Sequence, residues 1–246
     1  MTKTVAISAH RGGSEHATAA TYGAYEDAPA TGADYAEFDI RKTRDGVLVV
    51  YHDPHAGEAG PLVRDLPYEQ LCDMLGYAVP RVEDVMQLLA GKVIGHLDLK
   101  ETGYEAEIVN LALDTFGLGN FVATSLEDAS ILSIKQGFPK VTAALSLGRD
   151  LADIPRTSWV GVRYSERFPM RRIRACRADW VAVNQKLAQL GVLRLCRQNG
   201  IGAMVWTVDA DDRIDQFLAD ERVDVLITNR PQYAVRRRAA LQPQKE

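Results

Sequence analysis

Glu37 and Asp39 stand one residue apart in YAEFDIRKTRDGVLVVYHDP, the stretch from Tyr35 to Pro54. In a strand, alternation puts both carboxylates on one face with Tyr35, and turns Ala36, Phe38 and Ile40 the other way. Two like charges side by side are costly unless a cation or hydrogen bonds compensate them. The next apolar run, VLVVYHDP, ends abruptly in His52-Asp53, which strand propensity does not call for. Two carboxylates on one strand and a histidine ending the next suit a metal ion with an acid or base beside it. An ion-pair network with Arg41, Lys42 or Arg44 is the alternative. Alternation along VIGHLDLK (93–100) adds His96, Asp98 and Lys100 on one face, and the first apolar run, Val5–Ala9, ends in His10-Arg11-Gly12-Gly13. Three carboxylates without a Cys/His cluster favour Mg²⁺ or Ca²⁺ over zinc. With Arg11 and Lys100 the metal would make a positive floor suited to a phosphate diester.

Convergence of these residues requires a fold that brings strand ends to one place. Nine strand candidates alternate with helical patterns for much of the chain. They include Val5–Ala9, the runs 35–40, 47–54 and 93–100, FVATS (121–125), VTAALSL (141–147), WVAVN (180–184), AMVWTV (203–208) and VDVLIT (223–228). This pattern predicts an α/β chain folded as a (β/α)8 TIM barrel, in which chemistry gathers at the C-terminal strand ends. Nine is one strand too many, and the link between Ile40 and Val47 is too short for a helix, so the barrel is expected to be irregular near strands 2 and 3. Residues of about 55–80, broken by Gly57, Gly60, Pro61 and Pro67, read as an insertion above the rim with one short helix, YEQLCDML. The segment from about Ala17 to Ala30 reads as helix. The tail of about 236–246 reads as a helix end fraying into disorder.

The 246 residues suit one barrel domain, 1–246, and a 46% hydrophobic share is ample for its core. A net charge of −4 argues against general binding to nucleic acid. Cys72, Cys176 and Cys196, odd in number and widely spaced, suggest free thiols in a reducing compartment. Without a signal peptide or a membrane-spanning run, the expectation is a cytoplasmic protein with no stable membrane insertion. The arginine-dense stretch from Arg156 to Arg177 reads as a solvated helix face pairing with acids such as Glu166 and Asp179; attraction of an anionic substrate or a lipid surface is the alternative.

His10-Arg11-Gly12, Glu37-x-Asp39, His52-Asp53, Asp98-x-Lys100, Trp206-Thr207-Val208-Asp209 and Ile227-Thr228-Asn229-Arg230-Pro231 together resemble the signature of the glycerophosphodiester phosphodiesterase family. The resemblance runs from His10 to Pro231. It implies a TIM barrel, one divalent cation (Mg²⁺ or Ca²⁺, with Mn²⁺ acceptable) held by Glu37, Asp39 and Asp98, and His10 and His52 as general acid and base. It also implies hydrolysis of small glycerophosphodiesters to glycerol 3-phosphate and an alcohol. Three places depart from the family pattern. Thr18-Ala19-Ala20-Thr21 stands where members usually carry Pro-Glu-Asn-Thr, Asp98 where Glu is usual, and Asn229 where Asp is usual. The Leu-Asp-Leu-Lys form is similar to the sphingomyelinase D branch of the superfamily.

Within that reading, Arg11 is expected to hold phosphate through its planar fork and Lys100 to add a point charge. Pairing of both with Asp39 and Asp98 is the bland alternative. Trp206 is expected to wall the glycerol or headgroup pocket, although a core tryptophan would fit as well. Asp53 reads as a supporting residue and Asn184 as facing the pocket. Rival readings are a phospholipase D-like enzyme releasing a cyclic phosphate from lysophospholipids, and a non-catalytic barrel that binds phosphate esters.

Overall fold

The computed structural model describes residues 3–151 and 155–241. Its strands are β1 (Ala6–Ala9), β2 (Tyr35–Lys42), β3 (Leu48–Val50), β4 (Ile94–Leu99), β5 (Phe121–Ser125), β6 (Thr142–Leu147), β7 (Trp180–Asn184), β8 (Gly202–Trp206) and β9 (Val225–Thr228). They hydrogen-bond in the order β1-β9-β8-β7-β6-β5-β4-β2-β3, and β1 also pairs with β2. Eight parallel strands therefore close into a barrel, as expected. The ninth is β3, the only antiparallel strand among the described residues, paired to β2 by Ile40↔Val50, Arg41↔Val49 and Lys42↔Leu48. The link from Lys42 to Leu48 is too short for the helix that a parallel crossover needs. Instead Thr43 N–H donates to Val47 O at 2.9 Å and closes a hairpin, with Gly46 at φ 90°.

Strand alternation divides the buried side chains into two sets. Ala36, Phe38 and Ile40 of β2 and Leu97 and Leu99 of β4 join the large outer core against the helices. Inside the barrel, a smaller apolar cluster of Val122, Ala144, Ala182, Met204, Val225 and Ile227 fills the side of β5–β9. The interior of β1, β2, β4 and β5 is polar instead, with Ser8, Glu37, Asp39, His96 and Thr124 all buried. Isolated charges are not tolerated at such depth, so these groups must be paired or coordinated.

Residues 55–80 form a separate small core of Ala56, Val63, Leu66, Leu71 and Val79 with Val49, around the helix Tyr68–Leu75. Two local expectations need correction. The helix expected from Ala17 begins only at Tyr22, with Thr21 as its N-cap. Just before it, Ala20 takes a left-handed φ of 62°, and its N–H donates to Arg11 O at 2.9 Å. That tie between the segment and the His10 turn excludes helix there. The tail does not fray at 236: helix Pro231–Leu241 includes Arg236–Arg238. Arg237 pairs with Asp215 at 2.7 Å and Arg238 with Asp34, so the arginines bind the helix to the barrel. Residues 242–246 of the expected disordered tail lie outside the described residues.

Candidate active site

Parallel pairing of β2 with β4 sets Glu37 beside His96 and Asp39 beside Asp98. Glu37, Asp39 and Asp98 each bring a carboxylate oxygen within 4.8 Å of the others. Arg11 and Lys100 meet this cluster. Lys100 Nζ lies 2.7 Å from Asp39 Oδ1 and 2.5 Å from Asp98 Oδ2, while Arg11 Nε lies 2.8 Å from Asp39 Oδ2. The pairing weighed as the bland alternative is thus present. The other network is not: Arg41 and Lys42 turn to Glu101 and Glu107.

The electrostatics of the cluster are lopsided. Burial pushes Glu37 well above the usual carboxylate range, and Asp39 and Asp98 push it further. Burial acts the same way on Asp39, but Lys100 and Arg11 outweigh it and hold Asp39 below its ordinary value. Three carboxylates face two cations, so a dication would offset the excess negative charge that Glu37 feels. Asp39 Oδ2 and Arg11 Nε are both buried without an aligned hydrogen bond despite their 2.8 Å approach, which leaves lone pairs on that oxygen uncommitted. An all-oxygen donor set with an unaligned buried carboxylate oxygen fits a hard divalent cation.

His10 sits in the turn after β1, where Arg11 adopts φ 52° and its N–H donates to Glu37 Oε2 at 2.8 Å. His10 Nδ1 is 2.8 Å from Asn229 Oδ1, and Asn229 Nδ2 donates to Asp209 Oδ2 at 2.7 Å. A carboxylate only accepts, so the amide is oriented with its oxygen towards the ring; His10 Nδ1–H donates, and Nε2 carries the lone pair. Burial, and then the Arg11 charge, lower the pKa of His10 below its ordinary value. His52 comes from the return strand of the hairpin, half exposed, with Nδ1 2.6 Å from Asp53 Oδ1. Both histidines act electrostatically with Asp39, so they share one neighbourhood.

Trp206 ends β8, packs with the apolar interior cluster, and donates from Nε1 to Ala182 O at 2.9 Å. Its ring lies beside Gly148 at the end of β6, where a Cβ would run into Asn184. Several contributors were not evident from the sequence. Thr124 donates to Asp98 Oδ1 at 2.5 Å and lies 3.2 Å from His96 Nε2, while Ser8 Oγ lies 3.1 Å from His96 Nδ1. Burial drives His96 down to about 4, making it a neutral prop beneath the acids. Arg41 grips His52 O through Nε at 3.0 Å and Nη2 at 2.8 Å, and Glu101 at 2.7 Å. Tyr25 OH is buried near Glu37 and Asp39 without a hydrogen-bond partner among the described residues. Asn229 left a trace in the sequence as a motif departure, and His96 through its place on the Asp98 face of its strand; Arg41 was visible only as a candidate ion-pair partner.

Fold and site together define a (β/α)8 barrel with an acidic candidate cation centre and two histidines at its mouth. Residues 10–233 match the Glycerophosphoryl diester phosphodiesterase family, and the chain belongs to that family. The probable glycerophosphodiester phosphodiesterase 2 of Mycobacterium tuberculosis is 29% identical over 228 residues, covering 85% of this chain and 80% of the relative. A lysophospholipase D of Mus musculus is 41% identical over 70 residues, covering 27% of this chain and 21% of the relative. An Oleispira antarctica phosphodiesterase, solved in complex with the product sn-glycerol-3-phosphate, superposes with a TM-score of 0.76 at 16% identity, covering 95% of this chain and 96% of that one.

Proposed function

We propose that this chain is a metal-dependent phosphoric diester hydrolase that cleaves glycerophosphodiesters to glycerol 3-phosphate and an alcohol. The observation that carries the reading is the convergence of three carboxylates, two histidines, Arg11 and Lys100 at one strand-end site of a family barrel. Glu37, Asp39 and Asp98 hold one cation, Mg²⁺ or Ca²⁺ with Mn²⁺ acceptable. When bound, it supplies positive charge to a phosphate oxygen and acidifies a nearby hydroxyl or water. Arg11 and Lys100 exchange part of their pairing with Asp39 and Asp98 for the phosphate oxygens.

His10 is the general base. Its Nε2 lone pair is kept free by the Nδ1–H bond to Asn229, and its lowered pKa keeps it neutral. His52 is the general acid: its Nδ1 lies 2.6 Å from Asp53 Oδ1, which orients the ring, and its Nε2–H goes to the departing alkoxide. Trp206 walls the pocket opposite the acids. Each proton transfer contributes about 10²–10⁴ in rate. Attack by the glycerol hydroxyl would give a cyclic phosphate before glycerol 3-phosphate. The segment similar to a lysophospholipase D supports lysophospholipids as a second substrate class.

The test is product identification on a panel of glycerophosphodiesters and lysophospholipids, with and without chelator. Activity should vanish on chelation and return with Mg²⁺, Ca²⁺ or Mn²⁺. His10→Ala and His52→Ala should each lose about 10²–10⁴ in kcat, and the double variant should be little worse than either. Full turnover in a metal-stripped preparation, or near-normal turnover in either histidine variant, would overturn the assignment.

A further inference from the structure

Between Arg156 and Arg177 the chain carries seven arginines and one acid, Glu166, although its net charge is −4. Part of this charge is spent internally, since Arg163 pairs with Glu166 at 2.6 Å and Arg172 with Asp128 at 2.5 Å. The expected partner Asp179 binds Lys135 instead. The helix Trp159–Arg167 shows what else the stretch contains.

Glu166 is 1% exposed and fastens this helix to the barrel rim. Its Oε1 accepts from Gly148 N at 2.8 Å and Arg149 N at 2.7 Å, directly after β6. Gly148 in turn abuts Trp206 and Asn184, so the helix is anchored on the face that bears the histidines and carboxylates. The opposite side of the helix is apolar and open: Val160 is 82% exposed, Tyr164 68% and Phe168, at its C-terminal end, 50%. These positions recur every four residues and so form one stripe. Tyr164 and Phe168 rings are 5.0 Å apart, and Arg167 lies 5.3 Å over Phe168 while touching Gly191, next to Leu190, which is 53% exposed. Four of the eight large apolar side chains exposed among the described residues therefore belong to one rim patch.

Such clustering is unusual for a free surface. Arg156 and Arg167 stack on Trp159 and Phe168, with guanidinium-to-ring distances of 5.7 and 5.3 Å. A stacked guanidinium is weakly hydrated and suited to phosphate oxygens. Arginines flanking an open aromatic and aliphatic stripe are the arrangement of a helix that lies in a headgroup layer. An apolar protein partner would match the stripe but leave the arginines without complementary charge.

We propose that the rim helix Trp159–Arg167, with Phe168 and Leu190, docks the barrel onto an anionic lipid surface. The stripe enters the boundary between headgroups and acyl chains, and the arginines hold lipid phosphates. The barrel mouth is thereby kept beside the membrane. This docking is independent of the reaction assigned to the site, and binding can be read without turnover.

The experiment is co-sedimentation of the full chain with phosphatidylcholine vesicles, with and without phosphatidylglycerol, over a salt series. The parent should bind the phosphatidylglycerol vesicles most strongly at low salt and only weakly bind the neutral ones. Val160→Ser/Tyr164→Ser/Phe168→Ser should reduce that binding by about tenfold or more. Arg167→Gln/Arg171→Gln should remove mainly the salt-sensitive part. Circular dichroism melts and hydrolysis of a soluble glycerophosphodiester should stay parent-like in both variants. Failure of the parent to bind phosphatidylglycerol vesicles at low salt, or equal binding by the triple serine variant, overturns the proposal. A dimer by light scattering that the serine variant disperses, without vesicle binding, would assign the stripe to a second copy instead.

Discussion

Replacing Asn229 by Asp tests how His10 is held. In the parent, Asn229 accepts from His10 Nδ1–H at 2.8 Å and donates from Nδ2 to Asp209 Oδ2 at 2.7 Å. Asn229→Asp leaves two carboxylates facing each other with charge centres about 4 Å apart, worth about 4 kcal/mol of repulsion at an effective dielectric of 20. Partial exposure and salt reduce this to about 1–2 kcal/mol. Loss of the charge-assisted hydrogen bond adds about 1.5–3 kcal/mol. The single variant should therefore be destabilised by about 2.5–5 kcal/mol at neutral pH. Asp209→Asn/Asn229→Asp reverses the pair, recovers most of that stability, and sets a carboxylate directly on His10 Nδ1. The opposite charge should raise the pKa of His10. With His10 as base, the acidic limb of kcat/KM moves up in pH by the same amount, so activity at mildly acid pH falls. The assays are urea unfolding of the parent and both variants at pH 7 and their pH profiles of kcat/KM. Parent-like stability in Asn229→Asp, or an unmoved acidic limb in the double variant, would refute the reasoning.

Asp98→Ala should weaken cation binding and nearly abolish turnover. Asp98→Glu should retain activity with an altered metal preference, because the longer side chain shifts where the cation can sit; calorimetric titration and activity against cation concentration separate the two, and a parent-like Asp98→Ala would show that Asp98 is not a ligand. Arg41→Met frees the His52 carbonyl from its clamp, so kcat should drop by about tenfold to a hundredfold with little change in KM. Arg41→Met/His52→Ala should then be no slower than His52→Ala, and additive losses would show that Arg41 acts elsewhere. His96 titrates near 4 in the folded chain, because burial opposes its charge, against an ordinary 6.5. The unfolded chain binds the proton first, so this contribution is complete above pH 6.5 and is lost as pH falls towards 4, at a cost on the order of 3 kcal/mol. His96→Gln should flatten the fall in metal-free stability over that window; equal slopes by urea titration would contradict it.

The barrel and the clustering of its candidate site residues were legible because the signals were local. Glu37-x-Asp39 and Asp98-x-Lys100 follow strand alternation, and strand-end placement brings His10, Arg11 and His52 into the same neighbourhood. The surplus strand could be counted, and the short link between Ile40 and Val47 already marked where it lay. Partners far along the chain were not legible. Nothing near Asn229 announces His10, 219 positions away, or tells that Arg41 will hold the His52 carbonyl and Glu101 in place of Glu37 or Asp39. Ala20 gave no sign of its left-handed backbone, since alanine is a strong helix former and the segment around it is alanine-rich. Val160, Tyr164 and Phe168 gave no sign of an open stripe for another reason: apolar residues four apart ordinarily mark a face turned to the core.

The two histidines are mounted differently. His10 follows a strand woven into the closed barrel, whereas His52 rides on the outward arm of the β2–β3 hairpin, backed by the self-contained core of residues 55–80. The span between the two rings is therefore an adjustable dimension of the enzyme. The arm is tied to the acid-bearing strand at two points, Tyr51 N–H to Asp39 O at 3.1 Å and Arg41 Nε to His52 O at 3.0 Å, so a change in its length moves one ring within those ties. On the roles proposed for His10 and His52, editing this arm would resize the gap for the leaving group with no new residue at the acids.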